Sequence, residues 1–219
     1  MCGRFALFSP PETLVQHFGL AEVPQIAPRY NIAPSQPIAI IRLDPSGSRW
    51  LSLAHWGLIP SWSEEPKTGF STFNARAETV AVKPAFRQAF RQRRCLVPAD
   101  GYYEWQQTGD RHKQPYFIHR QDHAPLAFAG LWELWERGGQ AIESCTIIVT
   151  DANATTRAIH ERMPVVLAPG DYARWLAPIP GRVDQDLLAS CPADWLACRP
   201  VSNRVGNPRN DDPQCVQAI

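Results

Sequence analysis

The sequence predicts an α+β fold in which curved, mostly antiparallel β-sheets form an open barrel-like core flanked by short helices. Three observations predict it. Short runs rich in β-branched and aromatic residues, bounded by Gly, Pro, Asp and Ser, recur between Ile38 and Leu167. Helical signals are few and short. The chain has 219 residues, 44% of them hydrophobic and 20% charged, enough for one substantial core, so a single domain over residues 1–219 is expected. No internal repeat is visible.

In chain order, a helix is expected from Ser9 to Phe18, with Ser9 as N-cap, Pro10 at the first helical position, Glu12 closing a capping box and Gly19 ending it. Proline then recurs at Pro24, Pro28, Pro34 and Pro37, so residues 21–37 read as an extended, ordered loop containing Arg29, Tyr30 and Asn31. Ile38 to Leu43 and Trp50 to Trp56 read as a hairpin across the Asp44 to Ser48 turn. Residues 57–73, with Pro60, Trp62, Pro66 and Gly69, read as a loop. Pro84 opens a helix with Phe86 and Phe90 on one side and Arg87, Arg91, Arg93 and Arg94 on a solvated face. A strand from Cys95 enters an Asp100-Gly101 turn and leaves through Tyr102 to Trp105. Strands follow at Pro115 to His119, Leu126 to Leu131 and Cys145 to Thr150, the last two joined at Gly138-Gly139. Asp151 or Asn153 caps a short helix that must stop near Arg162, because Pro164 disfavours helix at Met163. Val165 to Leu167 is a strand, Asp171 to Leu176 and Asp184 to Leu188 are short helices, and Pro200 to Asp211 is a loop of side-chain hydrogen bonders.

Composition narrows the function. A formal net charge of +1 argues against a histone-like or long-duplex binder and leaves nucleic-acid contact to a local groove. No apolar run approaches the ~18 residues of a membrane span, and Arg4 comes too early for a signal peptide, so a cytosolic, soluble protein is expected. The six cysteines (Cys2, Cys95, Cys145, Cys191, Cys198, Cys215) include no CxxC pair and are expected as free thiols. His112, His119 and His123 flank a strand signal and read as surface residues, so neither metal nor cofactor is expected.

Cys2 carries the chemistry. Once the initiator methionine is removed, it presents an α-amine, ordinarily near 7.7 to 8.0, beside a thiol near 8.5. Such a pair can condense with an aldehyde to an imine and close a five-membered thiazolidine, or act as an acyl-transfer nucleophile with its own amine as base. The bland alternative is a small residue that merely follows the start codon. Asn74 and Arg76 lie two apart, on one face if extended, where an amide can orient a sugar or carbonyl oxygen and a guanidinium can clamp a phosphate. Glu104, between Tyr103 and Trp105, is a carboxyl whose ionised form desolvation would disfavour, which suits proton transfer near neutral pH; otherwise it is an edge-strand glutamate. His160 at a helix C-terminus would have its imidazolium favoured by the dipole and could donate to a sugar oxygen, or be structural. Trp62 can stack on a base or lie as a lid over the core.

MCGRF at the start, RYNIAP, WGLIPSW, NARAET, PADGYYEW, HERMPVVL and VSNRVGNPRND, in that order over nearly the whole chain, closely resemble the SRAP family, the SOS-response-associated peptidases or abasic-site-processing proteins. The resemblance implies recognition of abasic sites in single-stranded DNA and capture of the ring-opened deoxyribose aldehyde by the N-terminal cysteine as a thiazolidine. The family's nucleophile falls on Cys2, its sugar-contacting amide on Asn74, its catalytic carboxylate on Glu104 and its histidine on His160. Its phosphate contacts fall on Arg4, Arg76 and Arg162. Trp62 matches a family tryptophan in the DNA-wedging loop, but Ser63 stands where some members have a second aromatic. The family's peptidase label implies an autopeptidase side activity on the same residues, and stopping at the imine would leave β-elimination, a lyase activity, open. A cytoplasmic monomer, nucleoid-associated during DNA damage if bacterial, is expected. Two other classes remain open: an N-terminal-nucleophile hydrolase or amidotransferase, and a non-covalent single-strand binding module.

Overall fold

A computed structural model describes residues 2–66, 72–109, 113–177 and 184–219; Met1, Gly69 and His112 lie outside them. Its central strand is β10 (Gln140–Asp151), which is paired along both edges. One edge takes β9 (Leu126–Arg137) and then β11 (Arg162–Pro164), both antiparallel. The other takes β4 (Arg49–Trp56) at Ser144–Cys145 and then β5 (Asn74–Arg76) at Ile147–Val149, both parallel. A strand flanked on both edges and buried on both faces has no solvated side, which is why Cys145 to Thr150 are all buried and lack polar alternation. With β3 (Pro37–Leu43) between β4 and β6 (Arg94–Ala99), and β6 against β9, the pairing continues around a ring of five strands, β10-β4-β3-β6-β9. The expected curved, mostly antiparallel α+β architecture is present, and this ring closes through β9 and β10.

A second sheet, antiparallel throughout, runs β12 (Leu196–Pro200), β8 (Lys113–Arg120), β7 (Gly101–Gln107), β1 (Phe5–Leu7), β2 (Arg29–Ile32). The chain crosses from β6 in the ring to β7 in this sheet at Asp100. Gly101 allows the crossing because a Cβ there would lie 2.4 Å from Phe117 Cζ and 2.6 Å from the Ile118 carbonyl oxygen. Between the sheets Phe5, 1% exposed, meets the rings of Trp56 and Phe128 edge-on at 5.2 and 6.1 Å, and Tyr102 meets Phe128 at 5.9 Å. Burying one such ring contributes about 2–3 kcal/mol. This wedge anchors the N-terminal segment. The β9–β10 hairpin turns on Gly138 and Gly139 at φ 58° and 78°, as its sequence requires. No helix among the described residues is long and apolar enough to cross a membrane.

Several local expectations are corrected. Helix α1 (Pro11–Phe18) ends at a left-handed Gly19, but Ser9 does not cap it: Ser9 donates from its N–H (2.7 Å) and its Oγ to Asp100, leaving Pro10 at the cap position. Arg29–Ile32 is strand β2 and not loop, because β1 offers it an edge. Helix α2 (Arg87–Gln92) is short, and Arg94 is not on a solvated face: it begins β6 and pairs with Asp184 at 2.8 Å, both side chains 1% exposed. The strand expected at Val165 to Leu167 lies three residues earlier as β11, with Val166 forming only an isolated bridge to Phe128. Strand β12, unanticipated, pairs along β8. The expected C-terminal helices appear as α3 (Tyr172–Leu176) and a 3-10 turn at Gln185–Leu188.

Candidate functional site

Cys2 precedes β1 and is fully buried in the main core. Burial, with the Glu104 carboxylate adding to it, pushes the Cys2 thiol far above the ordinary thiol range, so the sulfur is held protonated. Glu104, on β7 and 4% exposed, has its carboxyl lifted by burial from 4.5 to about 7. The desolvation expected of it is present, but not from its sequence neighbours. Alternation along β7 turns Tyr103 onto the opposite face, into a second cluster with Phe117 and Val201, while Tyr102 shares the Glu104 face. Tyr102 is fully buried, lies within electrostatic reach of Cys2 and Glu104, and its hydroxyl has no hydrogen-bond partner among the described residues.

The two edges of β10 carry the other groups. On β5, Asn74 is 8% exposed and Arg76 is exposed, one strand period apart on one face as expected. Asn74 Nδ2 donates to the carbonyls of Phe73 (3.0 Å) and Ile147 (3.4 Å), whereas its buried Oδ1 has no partner among the described residues. That oxygen can accept from a hydroxyl or an amine. Across β10, Arg162 Nη1 donates to Glu78 Oε1 and to Asp151 Oδ1, both at 2.7 Å, and Nη2 to Glu78 Oε2 and the Val149 carbonyl, both at 3.0 Å. The Arg162 fork holds the Glu78 carboxyl below the usual carboxylate range.

His160 ends a series of turns over residues 153–160 and not the helix expected there, with Asn153 Oδ1 accepting from the Thr156 N–H at 3.1 Å. Without a helix C-terminus to favour imidazolium, burial dominates and the His160 pKa falls. The Arg162 backbone N–H donates to His160 Nδ1 at 3.0 Å. The same ring nitrogen lies 3.2 Å from the Arg162 carbonyl oxygen, so the Arg162 backbone fixes the orientation of the ring. Arg76, Asp151, His160, Glu161 and Arg162 line one pocket of about 320 Å³. Gln106 Nε2 donates to the Ala158 carbonyl at 2.9 Å, tying the strand of Glu104 to the turns that carry His160.

Of the residues singled out in the sequence, Arg76, His160 and Arg162 line that pocket, whereas Cys2, Asn74, Glu104, Arg4 and Trp62 are not in its lining. Arg4 Nη1 donates to Asn31 Oδ1 (2.8 Å) and to the Val205 carbonyl (2.6 Å), and its guanidinium lies 5.8 Å from the Trp105 ring. Asn31, fully buried, donates onward to the carbonyls of Val205, Asn207 and Asn210, while Asp211 accepts from Arg29 Nε and from the N–H groups of Tyr30 and Asn31. These bonds explain why RYNIAP and VSNRVGNPRND are rich in short polar side chains: they staple β2 and β1 to the C-terminal loop. Trp62 is 58% exposed on a loop held by Trp135 Nε1 donating to the Ser63 carbonyl at 2.8 Å. The loop leaves and returns beside Asn74, where Trp56 Nε1 donates to the Phe73 carbonyl at 2.9 Å.

Tyr102, Glu78 and Asp151 were missed by sequence reasoning. Glu78 stood inside the NARAET string, two residues after Arg76, and that proximity was the available signal; Asp151 entered only as a helix cap. Among the described residues no cluster of three or more His, Cys, Asp or Glu side chains could hold a metal ion. The described cysteines form no disulfide.

Comparison with known proteins adds three findings. Residues 1–208 match the family model described as SOS response associated peptidase (SRAP). Relatives at full length include the abasic site processing protein YoaM of Bacillus subtilis, 40% identical over 100% of this chain and 98% of its own, and YedK of Escherichia coli, bearing the same description, 31% identical over 100% of both chains. Among solved structures, a Bacteroides thetaiotaomicron protein superposes with a TM-score of 0.88 at 26% identity over 100% of both chains, and a Bordetella bronchiseptica protein with 0.80 at 30% over 92% of this chain and 100% of its own.

Proposed function

Since this chain belongs to the SRAP family, we propose that it processes abasic sites in DNA, and that it does so in single strands by covalent capture on Cys2, within one domain spanning the chain and as a monomer. Abasic-site processing is the description its relatives carry. The observation that carries the finer reading is the Glu104 carboxyl, buried within electrostatic reach of Cys2 and brought to about 7, where it can both give and take a proton at neutral pH.

After loss of Met1, the Cys2 amine adds to the C1′ aldehyde of the opened deoxyribose. The carbinolamine loses water to give an imine. Cys2 Sγ then adds to the same carbon while its proton passes by way of Glu104 to the imine nitrogen. The product is a thiazolidine and one water. His160 assists opening of the sugar ring by proton transfer, and Asn74 Oδ1 accepts from a sugar hydroxyl. Arg76 and Arg162 contact phosphates beside the lesion, Arg4 supports the segment that presents Cys2, and Trp62 offers an exposed ring for a base. Stopping at the imine leaves β-elimination open as a side activity, and the same Cys2, Glu104 and His160 would serve peptidase chemistry on a residue preceding Cys2.

The test is a denaturing gel of mature protein mixed with single-stranded DNA containing one abasic site. A band that survives heat and detergent with wild type and is absent with Cys2→Ala is expected. Binding without such a band would favour the non-covalent module, and glutamine or ester turnover the hydrolase.

A further inference from the structure

Arg162 faces the same pocket as Arg76 and His160, yet both of its terminal nitrogens are occupied by protein groups. Glu78 takes the guanidinium through two parallel bonds, Asp151 adds a third carboxylate contact, and the Val149 carbonyl a fourth. Buried Nε is the one guanidinium nitrogen without a partner among the described residues. Counting Glu161, which also lines the pocket and makes no ion pair among the described residues, the two arginines face three carboxylates. The pocket is therefore not a strong anion trap as it stands. The carboxylates are exposed, Glu78 by 49% and Asp151 by 76% of their side chains, against 16% for Arg162. The carboxylates stand in solvent, where an incoming phosphate, itself a bidentate partner for a guanidinium, can compete for the fork.

We propose that Glu78 is a latch on Arg162 that sets how tightly the site holds undamaged single-stranded DNA, a specificity role resting on the reading that this pocket takes the DNA backbone. While Glu78 occupies the fork, a passing strand has Arg76 as its one exposed arginine contact in the pocket. A phosphate held in register for capture displaces Glu78 and gains the second contact. Undamaged strand is thus released easily, and retention at a lesion falls to the covalent bond.

The experiment measures binding of a short fluorescent oligothymidylate to wild type, Glu78→Gln and Glu161→Gln across a range of salt. Both substitutions remove one negative charge from the pocket, but only the first unlatches Arg162. Glu78→Gln is expected to bind about fivefold tighter at low salt and to steepen the log K against log salt slope by about 0.7, the signature of one further phosphate contact. Glu161→Gln is expected to change affinity by no more than about twofold with an unchanged slope. Melting temperatures within about 3 °C of wild type are expected for both. Equal behaviour of the two variants, or weaker binding by Glu78→Gln, overturns the latch alone. Wild-type protein that binds no single-stranded DNA overturns the latch together with the reading beneath it.

Discussion

Replacing Glu104 by Gln should remove a pH dependence from the protein's stability. The carboxyl is 4% exposed, and burial lifts it from 4.5 to about 7. A displacement of that size means that ionised Glu104 costs the fold about 3 kcal/mol relative to the unfolded chain. Because the folded value is the higher one, the unfolded chain releases its proton first as pH rises. The stabilising contribution of Glu104 is then fully present below pH 4.5, declines through the interval to about 7, and is gone above it. Glutamine keeps the shape and cannot ionise. Urea unfolding of wild type and Glu104→Gln at a series of pH values should give a stability difference that moves by about 3 kcal/mol in favour of the variant across that interval. Adduct formation by the variant should be slower and should lose any inflection near pH 7. Parallel stability curves for the two proteins would refute the argument that burial governs this carboxyl.

Two further outcomes test the packing around the site. Tyr102→Phe removes a fully buried hydroxyl that has no partner among the described residues, so the variant should be as stable as wild type or more stable by about 1 kcal/mol, read from the urea midpoint. Gly101→Ala places a methyl 2.4 Å from the Phe117 ring and 2.6 Å from a backbone oxygen, at the point where the chain changes sheet. A loss of about 3 kcal/mol is expected in the same assay, and a loss under about 1 kcal/mol would mean that the crossing is looser than the contacts imply.

What the sequence made legible follows from how local each signal was. The β3–β4 hairpin and the Gly138-Gly139 turn depend on residues a few positions apart, and both stand where expected. Ser9 looked like a helix cap because nothing nearby announced Asp100, ninety-one residues away, which takes its side chain instead. Arg94 looked solvated for the same reason: Asp184, its buried partner, lies ninety residues on. Strands β2 and β12 carry weak alternation and exist because β1 and β8 offer them edges. Within the site, the residue types at Cys2, Asn74, Glu104 and His160 were readable, but the source of the Glu104 burial was not. Flanking aromatics suggested it, whereas strand alternation sends Tyr103 away and leaves Tyr102 beside the carboxyl. The His160 environment went the other way from expectation, since turns replaced the helix whose dipole would have charged it.

The most direct measurement is mass spectrometry of the product formed with single-stranded DNA bearing one abasic site, with no borohydride added. An intact mass equal to protein lacking Met1 plus DNA less one water, with the modified peptide mapping to Cys2, is the predicted result. Attachment at a lysine, or a product that persists only after borohydride reduction, would contradict capture by an aminothiol.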